Sequence, residues 1–467
     1  MSKAKQINIL VIGGSGHWAN LNYYNNIINF RRKESKIIIK VRAIIDTQNP
    51  YKQNTKSNLK KILVEDNPVW INPLDYKCIK QVFSKINELD IEIAIISSPP
   101  ILHYEYLTFC IKNNIDTICD KPITCSFGSS NNQIKATSIF RKYKKIVKLY
   151  EKQLRVNPNL NIVTILRRRG LKCFTEIADE ISSNHDRYGV GLNNMTLNVN
   201  ASKLLYPSEI LHNGAHGLCY GVGSLSHSAY HYIDLIAWFV SIAPGDAKYL
   251  KISLNYAYRL KDYLFNKDYK TIGKINNENI KAYNPNFLLS KQTLNTELNT
   301  VYNLELLNSN RKKIGNILFS YNQVGFSPRT NPYNGSWDDP ANVHGGGRMS
   351  SFIFNIHQGG ILSCLIQKND IVFEGYEIRS EVRRHPNTAV NKKKEHETFL
   401  YKDPYNSGTT LNNAFSDFVF YVSRKKKIIN HPIIRSIKSE RLSMGIYAKF
   451  YELISQPWPV KRFMKIK

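Results

Sequence analysis

Short apolar runs alternate with segments of helical spacing over the first third of the chain, and this alternation constrains the fold most. The apolar, β-branched runs are INILVIG (7–13), IIIKVRAIID (37–46), IEIAIISSPP (91–100), IDTICDKP (115–122) and NIVTILRRR (161–169). Segments with helical spacing lie among them at 75–90, 101–114 and 128–154. Strands that alternate with helices predict a doubly wound parallel sheet, which the run 161–169 would close.

The first strand runs into a glycine-rich turn, GSGHWA (14–19), which fits the pattern G-x-G-x-x-[GA]. Glycines allow a tight turn and let the backbone approach a pyrophosphate, and Ala19 lets the next helix pack close to the strand. The N-terminus of that helix would meet the phosphates with its N–H groups. An ordinary strand-turn-helix is the alternative for this hexapeptide taken alone. The predicted cofactor-binding residues of the turn are Gly14, Ser15, Gly16, His17 and Trp18.

The second strand ends on Asp46, whose carboxylate could accept the hydroxyls of an adenosine ribose. The gap from the glycines is longer than the usual ~20 residues, and the basic segment 29–36 would lengthen the helix or its loop. A carboxylate at this position would repel a 2′-phosphate, so NAD is favoured over NADP. The basic residues Arg42 and Lys52 weaken this preference for NAD over NADP.

Four motifs follow one another in register: the GxGxxA turn, SSPPILH (97–103), DKP (120–122) and an HxxD segment (231–234). This arrangement resembles the Gfo/Idh/MocA family of nicotinamide-dependent oxidoreductases, whose signatures are GxGxxG/A, a TP…H turn, EKP and DxGxHxxD. The resemblance rests on motifs over residues 6–240. From there to about residue 455 it rests on general strand order and a terminal helix.

The resemblance implies an α/β protein with two domains. Residues 1–168 would form a Rossmann dinucleotide-binding domain. Residues 169–467 would form a substrate-binding α/β domain with a large open mixed or antiparallel sheet, whose face covers the nicotinamide. The open sheet is also an expected surface for homo-oligomers. His103 would either face the nicotinamide or make a structural hydrogen bond. The implied cofactor-binding set adds Ser98, Pro99, His103, Asp120 and Lys121 to the turn and Asp46.

Longer runs in which apolar and polar residues alternate, in the second part of the chain, predict a sheet with one solvent-exposed face. These runs are 193–201, 247–260, 300–308, 313–326 and 350–366. Two polar, unpatterned segments near 261–299 and 327–349 are expected to be insertions or mobile lids, since long irregular stretches are usually functional loops or disorder. Two amphipathic helices are predicted near the C-terminus, and the last would pack back onto the body.

The stretch GSLSHSAYHYIDLIAW (223–238) has helical spacing from Ser226 onward, so His227, His231, Asp234 and Trp238 would share one face. By the resemblance, His231 takes the place of the family's histidine, Asp234 of its trailing aspartate and Lys121 of the EKP lysine. An imidazole with a pKa near ~6.5 is suited to removing an alcohol proton as hydride leaves. Lys121 would polarise the same oxygen.

One residue departs from the family pattern, because His227 stands where the family has an aspartate. A second histidine would disfavour charge on His231 if both were protonated. Either His227 contacts the substrate or the chemistry differs. The alternatives are two buried histidines and a metal site, although no glutamate lies between them and no third ligand is evident. No metal is expected.

The net charge of +29 calls for an explanation, whereas 42% hydrophobic and 22% charged residues are ordinary for a globular protein. The lysines are dispersed and no nucleic-acid motif accompanies them, so a solvated basic surface is favoured over a nucleic-acid site. We expect no nucleic-acid partner and no membrane association. No long apolar run or cleavable signal pattern is present, and a cytoplasmic location is expected.

The prediction is therefore an NAD(P)-dependent oxidoreductase acting at a secondary alcohol or ketone of a sugar, cyclitol or nucleotide-sugar. The substrate would be a polyhydroxylated or anionic small molecule, which Arg167 to Arg169, Arg348 and His216 could reach unless they are solvated surface residues. A catalytically silent dinucleotide-binding regulator or scaffold is one alternative. A protein that binds nucleic acid or an acidic partner is another, motivated by charge alone.

Overall fold

The computed structural model describes residues 5–16, 18–52, 57–203, 218–266, 290–325, 351–369, 379–390, 395–402, 408–428, 431–456 and 461–465. His17, His216 and Arg348 lie outside these ranges. So do the predicted insertion 327–349 and residues 267–289 of the other insertion.

The strands are β1 (Lys5–Ile12), β2 (Ile37–Ile45), β3 (Val69–Ile71), β4 (Ile93–Ile96), β5 (Asp116–Cys119), β6 (Ile162–Ile165), β7 (Asn194–Lys203), β8 (Tyr249–Arg259), β9 (Glu297–Leu307), β10 (Lys313–Val324), β11 (Ser351–Gln358), β12 (Leu362–Asn369), β13 (Arg379–Pro386), β14 (Glu397–Lys402), β15 (Ile434–Ser436) and β16 (Lys461–Lys465).

The α-helices are α1 (Asn25–Lys33), α2 (Ser57–Asp66), α3 (Ile79–Asn87), α4 (His103–Lys112), α5 (Gln133–Leu154), α6 (Lys172–Tyr188), α7 (Tyr230–Ile242), α8 (Leu260–Phe265), α9 (Lys291–Leu294), α10 (Gly408–Ser423) and α11 (Arg441–Ile454). Two π-helical segments, Ala19–Tyr24 and Leu225–Ala229, lead directly into α1 and α7.

The chain divides into two units, and neither is continuous in sequence. Unit 1 consists of Met1–Cys125, Phe140–Gly170 and Ser407–Arg441, and unit 2 of Ser126–Ile139, Leu171–Asn406 and Leu442–Lys467.

Unit 1 contains a sheet in which the described strands follow the order β15-β6-β5-β4-β1-β2-β3. All neighbours are parallel except β15 and β6, which are antiparallel. The predicted doubly wound parallel sheet is confirmed. The prediction that 161–169 closes the sheet is wrong, because β15 pairs outside β6. Every residue of β4 is fully buried, as in a parallel sheet covered on both faces.

The core of unit 1 joins this sheet to helices from distant parts of the sequence. Apolar residues of β1 and β2 cluster with Phe30 of α1 and with Phe415 and Phe418 of α10. The rings of Phe30 and Phe415 meet edge to face, 6.4 Å between centroids. Arg31 of α1 pairs through its guanidinium with Asp66 at the end of α2, 2.5 Å apart.

Unit 2 contains a second sheet with the described order β14-β13-β12-β11-β7-β10-β9-β8-β16. Its neighbours are antiparallel except β10 and β7, so the sheet is mixed, as the fold prediction allowed. The run 350–366, predicted as one strand-like segment, is a hairpin of β11 and β12 that turns at Gly359 (φ +52°).

Aromatic residues join this sheet to the helices of unit 2. Tyr302 of β9 stacks on Phe450 of α11, with 3.7 Å between ring centroids. Phe354 of β11 meets Phe239 of α7 edge to face at 5.4 Å. The helix α7 is almost entirely buried. No helix within the described ranges combines the length and apolar character needed to cross a bilayer.

Candidate functional site

The glycine turn after β1 lies directly against the turn after β4. Gly13 has a left-handed φ of +78° and donates its N–H to the Ile45 carbonyl, 2.8 Å away. A Cβ on Gly13 would lie 2.7 Å from both the Ser97 oxygen and the Ser98 nitrogen. A glycine is therefore required at position 13. The sequence prediction did not include it, although the pair Gly13-Gly14 was the available signal.

The two predicted glycines of the turn have different surroundings. A Cβ on Gly14 would meet the Tyr24 hydroxyl at 2.5 Å and Ile44 Cγ2 at 2.7 Å, so this glycine serves packing beneath the turn. Among the described residues, a Cβ on Gly16 would meet only the Gly13 oxygen, at 3.3 Å, so none of them crowds this side of the turn. Ala19, where the helical segment begins, is fully buried, as close helix packing requires.

Asp46 follows β2 and its carboxylate is bonded to the glycine turn. Its Oδ2 accepts the backbone N–H of Ser15 at 2.9 Å, and its Oδ1 accepts the N–H of Gln48 at 3.0 Å. Each carboxylate oxygen retains a further lone pair, so these bonds leave capacity for hydroxyl donors. The glycine turn and the predicted ribose-binding carboxylate therefore form one connected unit.

His103 joins the turns after β4 and β5. It is fully buried, with Nδ1 2.9 Å from the Pro122 carbonyl and Nε2 2.8 Å from the Ser98 carbonyl. Burial lowers the pKa of His103, and the Ser98 carbonyl and the Asp120 charge act against that change. The sequence offered two roles for His103, facing the nicotinamide or making a structural hydrogen bond. These two contacts are structural hydrogen bonds.

Asp120 and Lys121 come directly after β5, beside the same turns. Tyr23, in the π-helical segment that follows the glycine turn, donates its hydroxyl to Asp120 Oδ1, and Ser97 Oγ donates to Oδ2 at 3.1 Å. Burial raises the pKa of Asp120 above its ordinary value. Lys121 is partly buried and its bond to Pro122 is cis. The residues Ser98, His103, Asp120 and Lys121 are thus brought together at the ends of two neighbouring strands. Tyr23 was not predicted.

Two of the predicted arginines have defined places in unit 1. Arg167, just after β6, lies with its guanidinium 4.9 Å from the centroid of the Trp18 ring. Arg169 is only 4% exposed, so it is not the solvated surface residue that the sequence suggested as an alternative.

The predicted histidines lie in unit 2, at the start of one helix. His227 belongs to the π-helical segment and His231 to the first turn of α7, so the expected helix is present but begins as a wider turn. His231 is 8% exposed, while His227 is partly buried with Nδ1 2.7 Å from Ser228 Oγ. Asp234 is buried and accepts a hydrogen bond from Ser443 Oγ of α11 at 3.0 Å. That bond fixes α7 to α11.

Within the described part of the chain, no group of three or more His, Cys, Asp or Glu side chains is arranged to hold a metal.

A comparison with protein families matches residues 7–150 to the oxidoreductase family with an NAD-binding Rossmann fold. Residues 7–150 are thus similar to the Gfo/Idh/MocA family. The resemblance drawn from the sequence motifs is confirmed. No curated protein sequence matches the chain.

Solved structures of the same fold span nearly the whole chain. Levoglucosan dehydrogenase in complex with NADH and levoglucosan has a TM-score of 0.54 and 11% identity, covering 99% of this chain and all of its own. WlbA dehydrogenase from Bordetella pertussis, in complex with NADH and UDP-GlcNAcA, has a TM-score of 0.50 and 12% identity, covering 97% and 96%. A putative oxidoreductase from Thermotoga maritima has a TM-score of 0.51 and 15% identity, covering 98% and 100%. At these identities the similarity establishes the fold.

Proposed function

We propose that this protein is an NAD-dependent oxidoreductase that transfers a hydride between nicotinamide and a secondary alcohol or ketone of a sugar, cyclitol or nucleotide-sugar. The observation that carries the proposal is the bond from the Ser15 N–H to the Asp46 carboxylate. It fixes a negative charge beside the glycine turn, within a region that matches an NAD-binding oxidoreductase family.

The residues around the turn fit a dinucleotide. None of the described residues crowds the turn at Gly16, which supports the approach of a pyrophosphate to its backbone. Asp46 has lone pairs left for ribose hydroxyls, and its charge would repel a 2′-phosphate, which supports NAD over NADP. When bound, the nicotinamide would supply or accept the hydride.

We assign His231 and Lys121 the acid-base roles that the family resemblance implies. His231 would accept the proton of the substrate hydroxyl, and Lys121 would stabilise the negative charge that develops on the oxygen. Asp234 would act through its bond to Ser443, which holds the helix that carries His231. We infer that unit 1 binds the dinucleotide and unit 2 the substrate.

Two of the structures of the same fold support a polyhydroxylated substrate. One contains levoglucosan and the other contains a UDP-linked sugar, each together with NADH. The substrate we propose for this chain is accordingly a small molecule that carries several hydroxyl groups.

The test begins with binding and continues with turnover. NADH and NADPH titrations, followed by protein fluorescence and melting temperature, establish whether a dinucleotide binds. A screen over sugars, cyclitols and nucleotide-sugars then measures turnover. His231→Ala should reduce kcat by ~10²–10⁴, as expected for loss of a positioned acid-base group, and leave NADH affinity and melting temperature nearly unchanged.

The matched control is His185→Ala, which removes a partly buried histidine near the end of α6 whose ring nitrogen lies 3.2 Å from the Val190 carbonyl. It should leave kcat unchanged. If His231→Ala retains full turnover, or unfolds the protein, the catalytic role is wrong. If neither dinucleotide binds, the oxidoreductase proposal itself fails.

A second candidate function is a dinucleotide-binding regulator without turnover, and the histidine at position 227 favours it. His227→Asp introduces the family's usual residue. If His227 only orients its neighbour, the variant should stay active with a higher pH optimum, because a carboxylate favours a charged imidazole. If His227 contacts substrate, activity should collapse while the fold survives. Absence of turnover in the wild type across the screen, with NADH bound, would favour the regulator.

A further inference from the structure

A buried carboxyl group lies beneath the start of the helix that carries the two histidines. Glu297, the first residue of β9, is fully buried. Its Oε1 accepts the backbone N–H groups of Gly223 at 2.9 Å and Leu225 at 3.2 Å, and the Tyr451 hydroxyl at 2.8 Å. Its Oε2 lies 2.5 Å from Ser130 Oγ. One side chain therefore joins four separate segments of unit 2.

The two backbone groups that Glu297 binds lie at the beginning of the helical segment. The first N–H groups of a helix have no partner within the helix, and a carboxylate is favoured near them. Leu225 opens the π-helical segment, and Gly223 precedes it by two residues. A Cβ on Gly223 would lie 2.0 Å from the Glu297 backbone oxygen and 2.9 Å from its Cδ. The turn at Gly223 thus packs directly on Glu297.

The same network can form around a neutral side chain. Ser130 Oγ also lies 2.8 Å from the Gly221 carbonyl, and its hydroxyl carries a single hydrogen. Beside an ionised Glu297, Ser130 donates to Oε2. Beside a neutral acid or amide, the side chain at 297 donates to Ser130 Oγ, and Ser130 donates to the Gly221 carbonyl. A glutamine at 297 would therefore keep every hydrogen bond that the side chain at 297 makes, whereas an alanine would make none of them.

We propose that Glu297 is a positioning residue: by binding the start of the helix it sets where His227 and His231 lie, and so governs the chemical step. This inference rests on the proposed function of His231. No motif indicated it, because Glu297 is 74 residues from Gly223 in the sequence and meets it only in the folded unit.

The experiment compares Glu297→Ala with Glu297→Gln in the full-length protein. The matched control is Glu305→Gln in the same strand, a carboxylate that is partly exposed and pairs with Lys251 at 2.7 Å. We measure kcat and KM for the best substrate of the screen, NADH affinity by fluorescence, and backbone amide exchange over residues 221–231. Glu297→Ala should lower kcat by about 10- to 100-fold, the scale expected for a displaced catalytic group, with NADH affinity unchanged. Its amide exchange at the start of the helix should be faster.

Glu297→Gln and the Glu305→Gln control should both keep kcat within about threefold of the wild type and show wild-type exchange. If Glu297→Ala does not fold, Tyr451→Phe and Ser130→Ala replace it, since each removes one hydroxyl and leaves the carboxyl group in position. Each should then lower kcat and speed amide exchange to a smaller extent. Wild-type kcat and exchange in the alanine variant, or in both substitutes, would overturn the proposal. So would a glutamine variant as impaired as the alanine variant, because charge would then be the requirement.

The two proposals can fail separately. If the wild type turns over no substrate, the proposed function fails and amide exchange alone decides the role of Glu297. In that case unchanged exchange in Glu297→Ala refutes the inference, and faster exchange at the helix start supports it.

Discussion

Gly13→Ala should destabilise unit 1 strongly, because two costs arise at one position. A residue with a Cβ pays about 1–2 kcal/mol for the left-handed backbone that Gly13 adopts at φ +78°. The new Cβ would lie 2.7 Å from backbone atoms of Ser97 and Ser98, which cannot rotate away as a side chain could. Overpacking of this kind costs about 1–3 kcal/mol. The expected loss is therefore about 2–5 kcal/mol.

The assay is the melting temperature of the protein without dinucleotide, followed by circular dichroism and by a fluorescent dye. At roughly 2–4 °C per kcal/mol for a domain of this size, Gly13→Ala should lower the melting temperature by about 4–20 °C. Gly16→Ala is the matched control, because the one atom of the described residues that its Cβ would meet is the Gly13 oxygen, at 3.3 Å. That variant should melt within about 2 °C of the wild type, yet bind NADH at least tenfold more weakly. If Gly13→Ala has the melting temperature of the wild type, the turn at Gly13 does not pack against Ser97 and Ser98 as described.

Two further predictions concern Asp46 and Asp116. Asp46→Asn keeps an oxygen that accepts the Ser15 N–H and removes the charge, so the variant should prefer NADH over NADPH by a smaller ratio of affinities. A wild-type protein that binds NADPH tenfold more tightly than NADH, about 1.4 kcal/mol, would contradict the role of Asp46. Burial raises the pKa of Asp116 to about 6. At acidic pH the folded state therefore binds this proton more tightly than the unfolded state does, which stabilises the fold. That stabilisation is lost as the pH rises through 6. Asp116→Asn, which cannot ionise and can still accept the Asn161 N–H, should gain stability relative to the wild type between pH 4 and pH 7, by no more than about 3 kcal/mol. Parallel curves of melting temperature against pH for the two proteins would refute that expectation.

The parts of the fold that the sequence predicted are those with a strong local pattern. Ile93–Ile96 is a short, wholly apolar run rich in isoleucine, and the turn residues SSPP follow it, so this combination indicates a buried strand. Two other strands carry no such pattern, one at the edge of the first sheet and one next to the edge of the second. The strand Ile434–Ser436 has three residues, too few to show a period, and Arg379–Pro386 carries four charged side chains. Pairing partners rather than composition make these segments strands.

The same distinction holds for the candidate site. The glycine turn, Asp46 and the HxxD helix could be predicted because each is a local motif. The contributions of Tyr23 and Glu297 could not, because Tyr23 meets Asp120 across 97 residues and Glu297 meets Gly223 across 74. The catalytic roles of His231 and Lys121 remain predictions until the variants are measured.

The discontinuity of unit 1 has a consequence for the order in which the protein can fold as it is synthesised. The segment Ser407–Arg441, which supplies β15 and α10, leaves the ribosome only after residues 171–406 of unit 2. Until then β6 presents an unpaired strand edge to other chains, and Phe30 lacks the ring of Phe415. Unit 1 therefore stays incomplete, with an unpaired strand edge, while more than two hundred further residues are translated. We therefore expect the translation rate and the access of chaperones to affect the yield of folded protein.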